Sequence, residues 1–141
     1  DEYDTTTGNV VACADRQVME FIDWCTEQDF YEDSVIILTG DHPRMDIRLV
    51  ENVTNYYDRT VYNCFMNSAK EPSGSTVDRD YTAMDMFPTT LSAMGFEIEG
   101  DRLGLGVDLF SGEPTLCEEM GFEKLEEETQ KYSAYYIKNF A

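Results

Sequence analysis

Ser34-Val35-Ile36-Ile37-Leu38-Thr39-Gly40-Asp41-His42 is the stretch on which the reading of this 141-residue chain turns. Five consecutive β-branched or aliphatic residues, Val35 to Thr39, leave no polar face, and a strand apolar on both faces belongs in the middle of a sheet covered by helices. Gly40 ends the run and allows a tight exit, and a carboxylate and the only imidazole of the chain follow at once. In open α/β sheets, ligands gather outside the carboxyl ends of strands, so Asp41 and His42 stand where chemistry is expected.

Upstream, Val11, Ala14, Val18, Phe21, Ile22 and Cys25 recur at intervals of three and four, with Asp15, Arg16, Glu20, Asp23 and Glu27 elsewhere. The spacing predicts an amphipathic helix of about 18 residues with Asn9 as its cap. Phe30-Tyr31-Glu32-Asp33 links it to the buried strand, and helix then strand gives an α/β fold class. Downstream, Gly40 to Arg59 reads as a surface loop and Thr60 to Met66 as a second strand. Lys70-Glu71-Pro72-Ser73-Gly74-Ser75 is a turn. A short helix is predicted from Asp85 as cap, with Pro88 in its first turn and Gly95 as its stop. Gly104-Leu105-Gly106 reads as a turn; with no cation beyond Arg102 and no long helix behind it, it is not a phosphate loop. Thr115 and Glu118 make a capping box. Phe122 to Asn139 reads as one last helix, docked through Phe122, Leu125 and Tyr132, with Tyr132, Tyr135, Tyr136, Ile137 and Phe140 an aromatic stripe for the core.

Composition excludes several classes. Ten basic residues against 29 acidic ones give a formal charge of −19, which cannot neutralise a run of phosphates, so no nucleic-acid partner is expected. With 42% hydrophobic and 13% aromatic residues the chain still has enough apolar surface to fold. No apolar run approaches the roughly 20 residues that span a bilayer. The start Asp1-Glu2-Tyr3-Asp4 lacks a signal core, and a helical pattern follows almost at once, as expected of a piece of a longer protein. Cys13, Cys25, Cys64 and Cys117 show no metal-ligand spacing and read as buried small side chains. Cys13 and Cys25 on one helix would lie about 18 Å apart, beyond disulfide reach; pairs with Cys64 or Cys117 stay open.

Asp41 and His42 offer one oxygen and one nitrogen ligand to a divalent cation. The plain alternative is that Asp41 caps the next turn and His42 is merely exposed. Thr39 is read as a strand residue rather than a nucleophile. Arg44, Arg48, Arg59 and Arg79 are the cations nearest in sequence, and Asn52-Val53-Thr54 has the form of a glycosylation acceptor.

Four ordered motifs carry a resemblance. Ile36 to His42, Tyr62-Asn63-Cys64-Phe65-Met66-Asn67-Ser68, Met84 to Leu91, and Arg102 to Gly106 with Leu109-Phe110-Ser111-Gly112 resemble the sulfatase-type phosphoglycerol transferases. These are the lipoteichoic acid synthases and the glucan phosphoglycerol transferase group of the alkaline phosphatase superfamily. The resemblance runs from about Val11 to Phe140. It implies the C-terminal part of an α/β/α sandwich, with 1–70 the metal-ligand half and 71–141 a C-terminal subdomain. It implies that Asp41 and His42 hold a manganese-like ion, Mn²⁺ or another divalent metal. It also implies a bacterial enzyme, anchored by N-terminal membrane helices, acting on the outer face of the cell membrane. Such enzymes move glycerol phosphate from phosphatidylglycerol to a cell-envelope polymer or glycan through a phospho-threonine.

The nucleophilic threonine, a further glutamate ligand and the head-group residues of that family have no counterpart here, so the metal site is expected to be incomplete and the isolated chain inactive. Val107 stands where the family pattern usually has a hydroxyl residue. A sulfatase or phosphoethanolamine transferase shares the Asp-His pair, and a non-catalytic acidic interaction module is a reading from another class. A sheet cut in this way exposes an edge, so self-association is expected.

Overall fold

The computed structural model describes residues 3–43, 45, 50, 56–57 and 59–140. In chain order they form α1 (Thr6–Thr26), a 3-10 turn (Tyr31–Asp33), β1 (Ile36–Thr39), β2 (Asn63–Met66), α2 (Ala83–Ala93), a second 3-10 turn (Glu99–Asp101), β3 (Arg102–Leu103), β4 (Gly106–Val107), α3 (Leu116–Met120), α4 (Phe122–Thr129) and α5 (Ala134–Phe140). Most of the loop from 44 to 58, with Arg44, Arg48 and Asn52-Val53-Thr54, lies outside the described residues.

The cap of α1 is Thr5, not Asn9: the Thr5 hydroxyl accepts from the Gly8 amide at 3.1 Å. Asn9 lies inside the helix and turns its amide back, accepting from Tyr3 N and donating to Tyr3 O at 2.7 Å, which braces the chain ahead of the cap. Only Ile22 and Cys25 of the predicted stripe are buried, while Val11, Val18 and Phe21 stay exposed. Periodicity locates an apolar stripe; whether a partner layer covers it is a separate matter. The accessible surface, 10832 Å², exceeds the about 7,400 Å² of a close-packed monomer of this mass.

β1 and β2 pair antiparallel, Ile36 opposite Met66 and Thr39 opposite Asn63. Among the described residues neither strand has a second neighbour, and their side chains are mostly half-buried, so the interior position that the composition of β1 predicts would need a further strand beside it. Asn67, in the left-handed region at φ 56°, ends β2 and donates its amide to Tyr31 O at 2.6 Å and Ser34 O at 2.8 Å. That clip fixes the entrance of β1 against the exit of β2.

The firmest packing joins α2 to the β3–β4 hairpin. Gly104 turns the hairpin at φ 65° in a two-residue loop. Thr82 caps α2 and Asp85 is its capping-box partner rather than the cap, so α2 starts earlier than predicted and Pro88 falls in its second turn. Proline there has no N–H for the Met84 carbonyl, and Gly106 packs on that carbonyl: a β-carbon at Gly106 would stand 1.9 Å from Met84 O. The interior beside it is polar and satisfied. Asp85 accepts from Thr82 N and Val107 N, both at 2.8 Å. The Thr89 hydroxyl donates to Asp85 O and accepts from Leu109 N. Asp108, fully buried, accepts from Lys70 Nζ at 2.7 Å, Ser92 Oγ at 2.6 Å and Phe110 N at 2.9 Å. A buried carboxylate is tolerated because both of its oxygens have donors, one of them a lysine.

The Thr115–Glu118 capping box forms as predicted. The last helix does not: it breaks into α4 and α5, because the Ser133 hydroxyl accepts from Tyr136 N and starts a new helix. Leu125 is buried, whereas Phe122, Tyr132, Tyr135, Tyr136, Ile137 and Phe140 are exposed, so the aromatic stripe is not core.

Candidate metal half-site and the adjoining cavity

Gly40 extends the β1–β2 ladder, donating to Tyr62 O at 2.9 Å, and its α-carbon lies against Val61, where a methyl would come within 3.2 Å of Val61 Cβ. The chain therefore leaves β1 tightly, and Asp41 and His42 stand together at its carboxyl end. Asp41 Oδ1 accepts from the backbone amide of His42 at 2.9 Å. His42 Nδ1 lies 2.9 Å from Pro43 O, which suits an Nδ1–H donor and leaves Nε2 its lone pair. Nε2 then faces Asp41 Oδ2 at 3.5 Å, and both side chains are open to solvent, His42 by 53% and Asp41 by 88%.

This donor set suits a divalent first-row cation: one imidazole nitrogen and one carboxylate oxygen, at a spacing that two ligands about 2.1 Å from a common ion span in tetrahedral geometry. Among the described residues no group of three or more His, Cys, Asp or Glu is placed to hold a metal. The described residues thus supply two ligands, and the remaining positions would need donors from beyond them.

Asp41 borders a cavity of about 890 Å³, walled by Ile37, Val61, Met86 and Phe87. Its polar side is a hydrogen-bonded chain: the Thr39 hydroxyl donates to Asn63 Oδ1, and Asn63 Nδ2 donates to the Tyr81 hydroxyl. Thr39 is held by this chain, in keeping with its reading as a strand residue. The signal for Asn63 and Tyr81 was hidden, since strand register, not spacing, brings Asn63 opposite Thr39.

Arg79 also borders the cavity, but its guanidinium is occupied. It makes a two-pronged bond to Glu118, Nε to Oε1 at 2.7 Å and Nη2 to Oε2 at 2.8 Å, and donates to Glu113 O at 2.7 Å. Those bonds hold the Glu118 carboxyl down at about 2 and raise Arg79. Arg102 is likewise bound, to Glu119 and Pro114 O. Neither offers a free cation to a phosphate. The four cysteines are free thiols; Cys25 and Cys117 are buried and Cys13 is exposed. Burial pushes the Cys117 thiol up, which argues against a thiolate nucleophile in the cavity. Hydrogen bonding to Cys64 raises Tyr62.

No family model, curated protein or solved structure matches this chain. Among the described residues no helix is long and apolar enough to cross a membrane.

Proposed function

We propose that this chain is the C-terminal segment of a metal-dependent phosphoglycerol transferase and contributes Asp41 and His42 to a divalent-metal site completed by donors from elsewhere. The observation that carries this reading is the pairing of His42 Nε2 and Asp41 Oδ2 at the carboxyl end of β1, open to solvent and facing each other at 3.5 Å. The four ordered motifs give it a reaction: transfer of glycerol phosphate from phosphatidylglycerol to a cell-envelope acceptor. A bound Mn²⁺ would supply positive charge to offset the phosphate and activate an attacking oxygen. This chain's own part is to orient the two ligands, through the Gly40 exit, the Asp41–backbone bond and the His42–Pro43 contact. The edges of β1 and β2 that are unpaired among the described residues favour completion of the sheet by another polypeptide segment. Location on the outer face of a bacterial membrane follows from the same resemblance.

Calorimetric titration of the chain with Mn²⁺, against an Asp41→Ala, His42→Ala variant, tests the half-site. Two ligands predict weak binding, abolished in the variant. Binding of equal strength in chain and variant would remove the pair from the metal reading.

A further inference from the structure

The cavity beside Asp41 has two kinds of wall. One is apolar: Ile37 of β1, Val61, and Ala83, Met86 and Phe87 of α2. The other is the hydrogen-bonded chain of Thr39, Asn63 and Tyr81, in which the half-buried Tyr81 hydroxyl only accepts. No acceptor takes its hydrogen among the described residues, and a hydroxyl hydrogen at such a wall is satisfied by water or by a ligand atom with a lone pair. Asp41 and Asp80 line the same space, and Arg79 is the one lysine or arginine among its described lining residues. At about 890 Å³ the space falls within the range of small-molecule sites, about 300–1,000 Å³. Tyr81 also lines a second hollow, with Lys70, Leu109 and Phe110, of about 1140 Å³ and so above that range. Ala83 and Phe87 line only the first.

We infer that this cavity binds an uncharged small molecule with a largely apolar body and one ketone, ester or amide oxygen that accepts the Tyr81 hydrogen. Each part of that description has its own cause. The aliphatic, thioether and aromatic walls favour an apolar body over water. The Tyr81 hydroxyl offers a donor, which an oxygen lone pair can accept and an ammonium group cannot. An anion would accept it as well, but Asp41 and Asp80 set like charge against it. Arg79 does not offset them, because its Nε, Nη1 and Nη2 already donate to Glu118, Leu109 O and Glu113 O. Binding of this kind uses neither a metal nor a phosphate, so the inference does not rest on the half-site reading.

Fluorescence titration of the whole chain with a propionyl-dimethylaminonaphthalene dye, which is uncharged, aromatic and carries a single ketone, tests this in buffer containing a chelator. Saturable binding is expected. Ala83 is exposed, so Ala83→Phe fills the cavity without entering the core; it should weaken binding about tenfold or more. Tyr81→Phe should weaken it about fivefold, the worth of one hydrogen bond. The emission of the dye bound to that variant should lie further to the blue, since a hydrogen bond to the ketone lowers the emission energy. Anilinonaphthalene sulfonate, similar in body but anionic, should bind about tenfold more weakly than the ketone. A Val18→Ser, Phe21→Ser variant on α1 should bind the ketone like the parent chain. Absence of saturable binding, equal binding by Ala83→Phe, unchanged emission in Tyr81→Phe, or tighter binding of the sulfonate would each overturn the inference. So would loss of binding in the α1 variant alone, which would put the dye on the exposed face of that helix. No turnover or metal enters any of these measurements, so failure here leaves the half-site reading standing.

Discussion

Gly106→Ala places one methyl group where the structure has a helix carbonyl. The added β-carbon would lie 1.9 Å from Met84 O, 2.7 Å from Met84 C and 3.1 Å from Pro88 Cγ. An ordinary carbon–oxygen contact is about 3.3 Å, so one partner must retreat by more than 1 Å. Retreat is costly on both sides. Met84 is fixed by the Thr82–Asp85 capping box, and Asp85 also grips Val107 N, the residue after Gly106. Val107 is itself fully buried. Overpacking of a fixed site costs about 1–3 kcal/mol and sometimes more; with helix backbone as the obstacle we expect about 3 kcal/mol. For a chain of this length that lowers the melting temperature by about 6–12 °C. Gly104→Ala separates sterics from backbone strain, since it has φ 65° and nothing within 4 Å of a β-carbon. It should cost only about 1 kcal/mol, the left-handed penalty. Thermal melts followed by circular dichroism read both. Equal shifts for the two variants, or a Gly106→Ala melt within 2 °C of the parent, would refute the close approach of α2 and β4.

Two further outcomes follow from the packing. The Glu118 carboxyl is held at about 2 by Arg79, below its unfolded value near 4.5, so its stabilising effect is full above pH 4.5 and fades as pH falls toward 2. With a quarter of the side chain exposed, the effect is discounted to about 2 kcal/mol at pH 7; the stability gap between parent and Glu118→Gln in urea should close on acidification, and a pH-independent gap would sink the assignment. For Asn67, Asn67→Gly should lose the clip to Tyr31 and Ser34 at about 1–2 kcal/mol, and Asn67→Ala about 1 kcal/mol more for the left-handed backbone, in urea midpoints; Ala no worse than Gly would contradict the φ of 56°.

Signals between near neighbours in the chain were legible. Thr115 and Glu118 stand three apart and form their capping box, Gly95 stops α2 at φ 87°, and Gly104 turns the hairpin. Asp85 shows how such a signal misleads by one role: both halves of a capping box are polar, and Asp85 alone does not reveal that Thr82, three residues earlier, is the cap. The end of α4 was missed because helical periodicity continues through Tyr132 and Tyr136 while Ser133 offers a competing cap. The exposure of Val18, Phe21 and the C-terminal rings was illegible for a different reason: apolarity requires no partner to be present. Of the candidate site, the placement of Asp41 and His42 just past a strand was legible, whereas Asn63 and Tyr81 reach Thr39 only through tertiary structure.

The Thr39–Asn63–Tyr81 chain has a direction. Asn63 accepts from Thr39 at its oxygen and donates to Tyr81 from its nitrogen, and half a turn of the amide would oblige both hydroxyls to exchange roles, Thr39 accepting and Tyr81 donating. Because Tyr81 accepts from that amide, its own hydrogen is left for another acceptor. A carboxylate at position 63 would accept from both neighbours and turn Tyr81 from acceptor to donor. The polarity of that wall is thus set by the order of two atoms in one side chain.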